Sequence, residues 1–341
     1  MKVAVYYNNK DVRIEERHVP KINDDELLVK IIASGICGTD VMEWYRINKA
    51  PIILGHEIAG IIEKAGKNAK NFKIGDRIVV SHHVPCTKCH YCLNNHQTAC
   101  ETLHKTNFDP GGFSEYIRIP KINVELGTFK LPDNVSFEEG TFVEPLGTIL
   151  RAQRLANLKE DDTLLVIGSG ISGLLHIKLA KSGNIKKIIA VDPNNYRLNA
   201  AKKFGADLVF DASENIPKIV KEVNENRLAD KVIVCAGALS AAKQALKCVD
   251  KGGTILFFAV PKPDERLAIP INDFWRNEIK IMTSYGAAPD DLKESLELIK
   301  NEKINVADMI THRLKFDEIQ KGFQLVAEAN ESLKVIVGMD R

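Results

Sequence analysis

The 341-residue sequence lacks the features that would commit it to a membrane, to secretion or to nucleic acid. It has no run of about 18 apolar residues, so no ordinary membrane-spanning helix is expected. No basic-then-apolar leader pattern opens it, because Met1–Tyr7 reads directly as a strand, and a cytoplasmic location is the expectation. Charge of one sign is also missing. The 47 Lys and Arg nearly cancel the 45 Asp and Glu, and a formal charge of +2 gives no reason to expect nucleic acid or an anionic membrane surface as a partner. Low-complexity segments and internal repeats are absent. The seven cysteines are odd in number and follow no leader, which argues against a disulfide framework.

What remains is an ordinary globular composition, 45% apolar and 27% charged, on a chain long enough for two domains. The most informative stretch is Thr163 to Asp192. The apolar run Leu164–Ile167 reads as a buried parallel strand and leads into Gly168-Ser169-Gly170-Ile171-Ser172-Gly173. A helical pattern follows through Leu174, Leu175, Ile177 and Ala180, and a second apolar run ends at Asp192. Strand, glycine turn, helix, strand and acid make a dinucleotide-binding unit. The first glycine permits the tight turn, the second admits a pyrophosphate, the third lets helix and strand pack closely, and the helix N-terminus faces the phosphates. Asp192 suits an adenosine ribose and would repel a 2′-phosphate, so NAD is favoured over NADP; Arg197 and nearby lysines weaken that preference without reversing it.

Apolar runs recur at 164–167, 188–191, 207–210, 231–235, 254–260 and 279–282 with helical segments between most of them, which predicts six strands of a doubly wound parallel sheet. Before that region the texture is strand-rich: Lys2–Tyr7, Val12–Glu16, Glu26–Ala33, Ile58–Ala65 and Ile78–Val80 lie between turn signals and suggest a barrel-like β body. Ser136 to Glu139 is a capping box expected to start a helix running through Leu146, Ile149, Ala152 and Leu155. After Tyr285 the alternation stops. Asp290–Ile299 and Phe316–Asn330 read as amphipathic helices and Leu333–Val337 as a last strand, a tail expected to return to the first domain.

Two residue groups point to metal. Cys86, Cys89, Cys92 and Cys100 crowd four thiols into one loop, enough to close a tetrahedral shell around a structural Zn²⁺ and to supply folding energy the loop otherwise lacks. An Fe–S cluster or reduced buried cysteines are the alternatives, and His82, His83, His90 and His96 read as bystanders to that loop. The second group is Cys37, His56, Glu57 and Glu144. Cysteine, histidine and carboxylate together suit a catalytic zinc with one exchangeable position.

These motifs resemble the zinc-dependent medium-chain dehydrogenases, on the branch holding polyol (sorbitol-like), threonine and butanediol dehydrogenases. The resemblance rests on Cys37-Gly-Thr-Asp40, Gly55-His-Glu57, Gly75-Asp-Arg77, the Cys86–Cys100 lobe, Gly111 to Tyr116, Val143-Glu-Pro-Leu146 and the glycine turn. It implies an α/β protein: a Rossmann doubly wound parallel sheet at 148–284 and a GroES-like catalytic domain at 1–147 and 285–341, with a structural zinc lobe near 82–104, a cleft between the domains and a homotetramer or homodimer.

It also implies roles. Cys37, His56 and Glu57 become ligands of one Zn²⁺, with Glu144 a direct or water-mediated fourth. Asp40 orients a ligand, and Thr39 is the hydroxyl that passes on the substrate proton. Cys86, Cys89, Cys92 and Cys100 hold a second Zn²⁺. Gly168, Gly170, Ser172, Gly173, Asp192, Arg197, Val260 and Tyr285 contact NAD. The sequence departs from the family in two places. Met42 stands where many relatives carry a histidine, and the segment between Cys37 and His56 is short. The expected reaction is reversible oxidation of a secondary alcohol of a polyol or sugar-like substrate. Threonine or butanediol comes next, then a phosphorylated polyol drawn by Arg46 and Lys49. A zinc-free reductase relative or a non-catalytic scaffold is the other class.

Overall fold

The long strand Leu27–Gly35 organises the N-terminal half because its β-branched and leucine residues bury both faces. It pairs antiparallel with Glu57–Ala65 along its whole length, while Tyr116–Ile119 takes its first half and Lys334–Gly338 its end. In the computed structural model, which describes residues 1–339, this becomes a seven-stranded sheet. Its path runs Ile310–Lys315, Lys334–Gly338, Leu27–Gly35, Glu57–Ala65, Arg77–Val80 and Thr128–Lys130, with Tyr116–Ile119 off that path. A three-stranded sheet of Asp11–Glu16, Lys2–Asn8 and Ile52–Ile53 lies in the same unit. One apolar cluster is built on Tyr6, Phe113 and Phe323, the other on Leu27, Ile31 and Ile78.

The second unit comprises Thr148–Tyr285; Met1–Gly147 and the chain from Gly286 onward form the first. Its six parallel strands lie in the order Leu208–Asp211, Lys187–Asp192, Thr163–Ile167, Ala229–Val234, Val249–Phe257 and Lys280–Thr283. The chain thus starts in the middle of the sheet, winds outward to one edge and then to the other, the doubly wound arrangement expected from the alternating pattern. The first strand is buried at every position, as a parallel strand covered on both faces must be.

Three local features differ from expectation. The Ser136 capping box is present, but it closes a helix of only four residues, Phe137–Gly140; the chain restarts as the helix Val143–Leu155. At the break the Thr141 hydroxyl donates to the Glu138 carbonyl at 2.7 Å. Gly140 also packs so tightly that a Cβ there would lie 3.0 Å from Val79. In the tail, a 3₁₀ turn at Phe316–Glu318 precedes the helix Ile319–Glu328, and an unexpected strand, Ile310–Lys315, pairs in parallel with Lys334–Gly338. Among the described residues no helix is long and apolar enough to cross a membrane.

Candidate metal and cofactor sites

The register of the central strand pair builds the first site. Gly35 pairs with Glu57, so the loop that follows Gly35 and carries Cys37 lies beside His56 and Glu57 at the start of the neighbouring strand. Ligand atoms of Cys37, His56 and Glu57 fall within 4.8 Å of one another. A thiol, an imidazole and a carboxylate at that spacing fit Zn²⁺ and leave a coordination position over. Asp40, fully buried, supports them: one carboxylate oxygen accepts from the Cys37 amide at 3.0 Å and the other lies 3.4 Å from His56 Nδ1. Burial opposes charge on both groups, yet their attraction wins, holding the Asp40 carboxyl below its usual range and His56 well above its own.

Two further residues join this cluster: Lys334, which the sequence reading does not single out, and His82, which it places as a bystander to the cysteine loop. Lys334 is 0% exposed and its ammonium pairs with Glu57 Oε2, with the Phe142 ring 5.4 Å away. A Cβ at Gly35 would fall 2.5 Å from that same Glu57 oxygen, so glycine there leaves room for the ion pair. The only sequence signal for Lys334 is a cation at the head of the apolar run Lys334–Val337. His82 is the other: its ring lies 4.9 Å from His56 and 3.8 Å from His83, and its Nδ1 is buried without a hydrogen-bond partner among the described residues. Burial and the facing His56 and His83 push its pKa well below the histidine range. His82 therefore belongs with the Cys37 group rather than beside the cysteine loop.

Glu144, on the helix Val143–Leu155, stands outside the three converging ligands but within their field. Burial lifts its pKa to about 7, with His56 opposing and Glu57 adding to the rise. Thr39 is exposed, its hydroxyl donating to Cys37 Sγ at 3.3 Å.

In the second group the Sγ atoms of Cys86, Cys89, Cys92 and Cys100 also lie within 4.8 Å of one another. The short helix His90–Leu93 brings Cys92 back over Cys89, at 3.5 Å between sulfurs. Although burial disfavours a thiolate at Cys100, backbone N–H groups of Cys86 and Leu103 bring its pKa down to about 6. Four convergent sulfurs and backbone donors aimed at them fit a closed tetrahedral metal shell.

In the second unit the three glycines have three distinct reasons. Gly168 has φ +97°, a conformation glycine alone adopts freely. A Cβ at Gly170 would meet nothing nearer than the Arg197 guanidinium at 4.0 Å, leaving the helix N-terminus open to an anion. A Cβ at Gly173 would lie 1.9 Å from the Gly168 carbonyl oxygen, which forbids any other residue at this close helix–strand contact. Asp192 caps the turn: its carboxylate accepts from the Ser169 amide at 2.7 Å and the Asn194 amide at 2.9 Å. Arg197 Nε is buried without a hydrogen-bond partner among the described residues, an unspent donor beside the turn. The cradle therefore fits a dinucleotide. Ser172 lies in the first turn of the helix Ile171–Ser182; Val260 and Tyr285 are about half-exposed and follow the strands Val249–Phe257 and Lys280–Thr283.

Comparison with known proteins agrees with this geometry. Residues 23–133 match the alcohol dehydrogenase GroES-like domain, and residues 172–301 match the zinc-binding dehydrogenase domain. Sorbitol dehydrogenase of Bacillus subtilis is 31% identical over 354 residues, covering 100% of this chain and 98% of its own. The chain belongs to the zinc-dependent medium-chain dehydrogenase family. Within that family it lies on the polyol branch: D-xylulose reductase A of Aspergillus oryzae is 29% identical, covering 96% of this chain and 94% of its own. A zinc-binding dehydrogenase of Sinorhizobium meliloti 1021, bound to NADP, shares the fold with a TM-score of 0.88 at 26% identity, covering 99% of both chains. This dehydrogenase is an oxidoreductase of the polyol type that combines a GroES-like unit with a Rossmann sheet.

Proposed function

We propose that the protein is an NAD-linked dehydrogenase that reversibly oxidises a secondary alcohol of a polyol or sugar-like substrate to a ketone. The observation that carries this reading is the convergence of Cys37, His56 and Glu57 beside the exposed Thr39 hydroxyl. When bound, Zn²⁺ supplies Lewis acidity and NAD a two-electron acceptor. The residues supply the rest. Asp40 fixes the His56 ring through Nδ1, leaving Nε2 to act as ligand. Lys334 holds one Glu57 oxygen and thereby turns the carboxylate toward Cys37 and His56. Thr39 takes the hydroxyl proton of the substrate. Asp192 receives the adenosine ribose, and its negative charge disfavours a 2′-phosphate.

Cys86, Cys89, Cys92 and Cys100 hold a second, structural Zn²⁺ in the same proposal. Assembly as a homodimer or homotetramer also belongs to it. The edge strand Lys280–Thr283 and the 77% exposed Trp275 offer an apolar edge that a second copy would cover. A cytoplasmic address is supported by seven free cysteines.

The test is metal analysis of the purified protein followed by NAD(P)H absorbance across a panel of polyols, threonine, butanediol and sugar phosphates. Two zinc ions per chain and fastest turnover of a polyol with NAD are expected. A preference for NADP overturns the cofactor assignment, fastest turnover of threonine or butanediol overturns the substrate class, and no turnover of any alcohol overturns the activity.

A further inference from the structure

Arg46 lies on a four-residue helix, Glu43–Arg46, where a long cation would ordinarily extend into water. Its side chain is instead only 14% exposed. Nε donates to the Thr39 carbonyl at 2.9 Å and Nη2 reaches the Thr39 hydroxyl oxygen at 3.4 Å. The guanidinium carbon lies 4.7 Å from the Tyr45 ring centroid, and Nη2 is 3.8 Å from the buried Asp40 carboxylate. Main chain, hydroxyl, aromatic face and counter-charge thus hold the fork from four directions, which a single-point ammonium could not match.

We propose that Arg46 is a positioning residue for Thr39, and that it limits proton transfer to one step, from the substrate oxygen through Thr39 to water. This rests on the dehydrogenase reading above. A threonine hydroxyl has one hydrogen and two lone pairs, whereas arginine only donates and keeps its protons. With Arg46 on one lone pair, a single acceptor site remains, and the hydroxyl hydrogen, which rests on Cys37 Sγ at 3.3 Å, turns from the sulfur to solvent as the new proton arrives. In the oxidation, the substrate O–H proton moves to that acceptor site while the Thr39 hydrogen leaves to solvent, which reaches the exposed residue. Bound NAD would supply the acceptor for the carbinol hydrogen and its electron pair, leaving the ketone as product. Arg46 neither gains nor loses a proton. Its positive charge stabilises the negative charge that grows on the substrate oxygen as the O–H bond breaks. No ionisable side chain is then needed to carry the proton from Thr39 to water.

The experiment is a double-mutant cycle of Thr39→Ala and Arg46→Ala in the zinc-loaded enzyme, with the polyol turned over fastest by wild type. Arg46→Ala is expected to lower kcat about 30-fold, with zinc content and the KM for cofactor unchanged. In the Thr39→Ala background the same substitution is expected to change kcat less than twofold. Millimolar guanidinium should restore part of the kcat of Arg46→Ala and none of that of Thr39→Ala.

A readout independent of turnover is the Thr39 methyl NMR signal in cofactor-free protein, expected to shift in Arg46→Ala and to return with guanidinium. Should Arg46→Ala lose its zinc, Arg46→Lys carries the same cycle, because it keeps the charge and loses the fork. Additive losses, a wild-type kcat in Arg46→Ala, or an effect confined to the KM of phosphorylated substrates overturns the inference while the dehydrogenase reading stands. A wild type that oxidises no alcohol removes both.

Discussion

The two units build their sites from opposite materials. In the Rossmann unit the candidate cofactor cradle is mostly backbone: amides at a helix start, glycines that keep out of the way, and one carboxylate that accepts from two main-chain N–H groups. The candidate residues from Gly168 to Arg197 span one stretch of sequence. In the GroES-like unit the candidate metal site is mostly side-chain charge, gathered from residues as far apart as Cys37 and Lys334 and set in opposed pairs: Asp40 faces His56, Glu57 faces Lys334 and Arg46 faces Asp40. A site made of backbone needs little charge compensation. One made of buried charges has to assemble its compensation from the whole fold.

The sharpest way to break the comparison is to remove one side-chain ligand. Cys37→Ala is expected to lower kcat about a thousandfold, roughly 4 kcal/mol of transition-state stabilisation. NADH binding, read by nicotinamide fluorescence, should stay within twofold of wild type, because no Rossmann residue changes. Comparable losses in both would show that the two sites do not function separately.

Next comes the buried pair. Lys334→Met leaves the Glu57 carboxylate in a nearly water-free site without its counter-ion, a change expected to cost about 3 kcal/mol in urea unfolding. Lys334→Met with Glu57→Gln should recover much of that loss, since it removes the orphaned charge. A double variant no more stable than the single one would mean that packing, rather than charge pairing, holds Lys334 in place.

The same contrast governs what could be read from the sequence. The glycine turn, the four-cysteine loop and the Ser136 capping box are local, so spacing alone made them legible, as did the six-strand alternation. Cys37, His56 and Glu57 were recognisable as residue types, but their convergence depends on the Gly35–Glu57 register, which no short window contains. Lys334 was hidden because it heads an apolar strand and reads as a solvated end. Arg46 was visible as a cation, but not its inward turn onto Thr39, which depends on a helix of one turn. The strand Ile310–Lys315 escaped notice because Thr311, His312 and Arg313 interrupt its apolar pattern; it buries Ile310 and Leu314 at the edge of a sheet.

A backbone-made site should in turn be vulnerable to a single methyl group. Gly173→Ala would place its Cβ 1.9 Å from the Gly168 carbonyl oxygen, forcing the turn open. Cofactor affinity is expected to fall about a hundredfold, near 2.7 kcal/mol, while zinc content remains that of wild type. A change under threefold in the fluorescence titration would show that this turn is not where the phosphates are held.

The smallest effect concerns what each unit does with a buried ionisable group. His176, on the glycine-turn helix, is 0% exposed; its Nδ1 accepts from Gln153 at 3.2 Å, its ring meets Phe258 edge-on, and no carboxylate among the described residues balances it as Asp40 balances His56. Burial therefore lowers its pKa to about 3, whereas the Asp40 carboxylate raises that of His56. Between that value and the ordinary histidine pKa near 6.5 the unfolded chain binds a proton that the folded chain refuses. Stability must then fall as pH drops through this window, by at most about 1.4 kcal/mol per pH unit for this one group. His176→Leu is expected to remove that contribution, so urea unfolding at pH 7, 6 and 5 should show a shallower acid loss in the variant even if it is less stable at pH 7. Parallel curves for the two proteins would mean that His176 finds a counter-charge after all, and that the Rossmann unit compensates its buried ionisable groups as the metal site does.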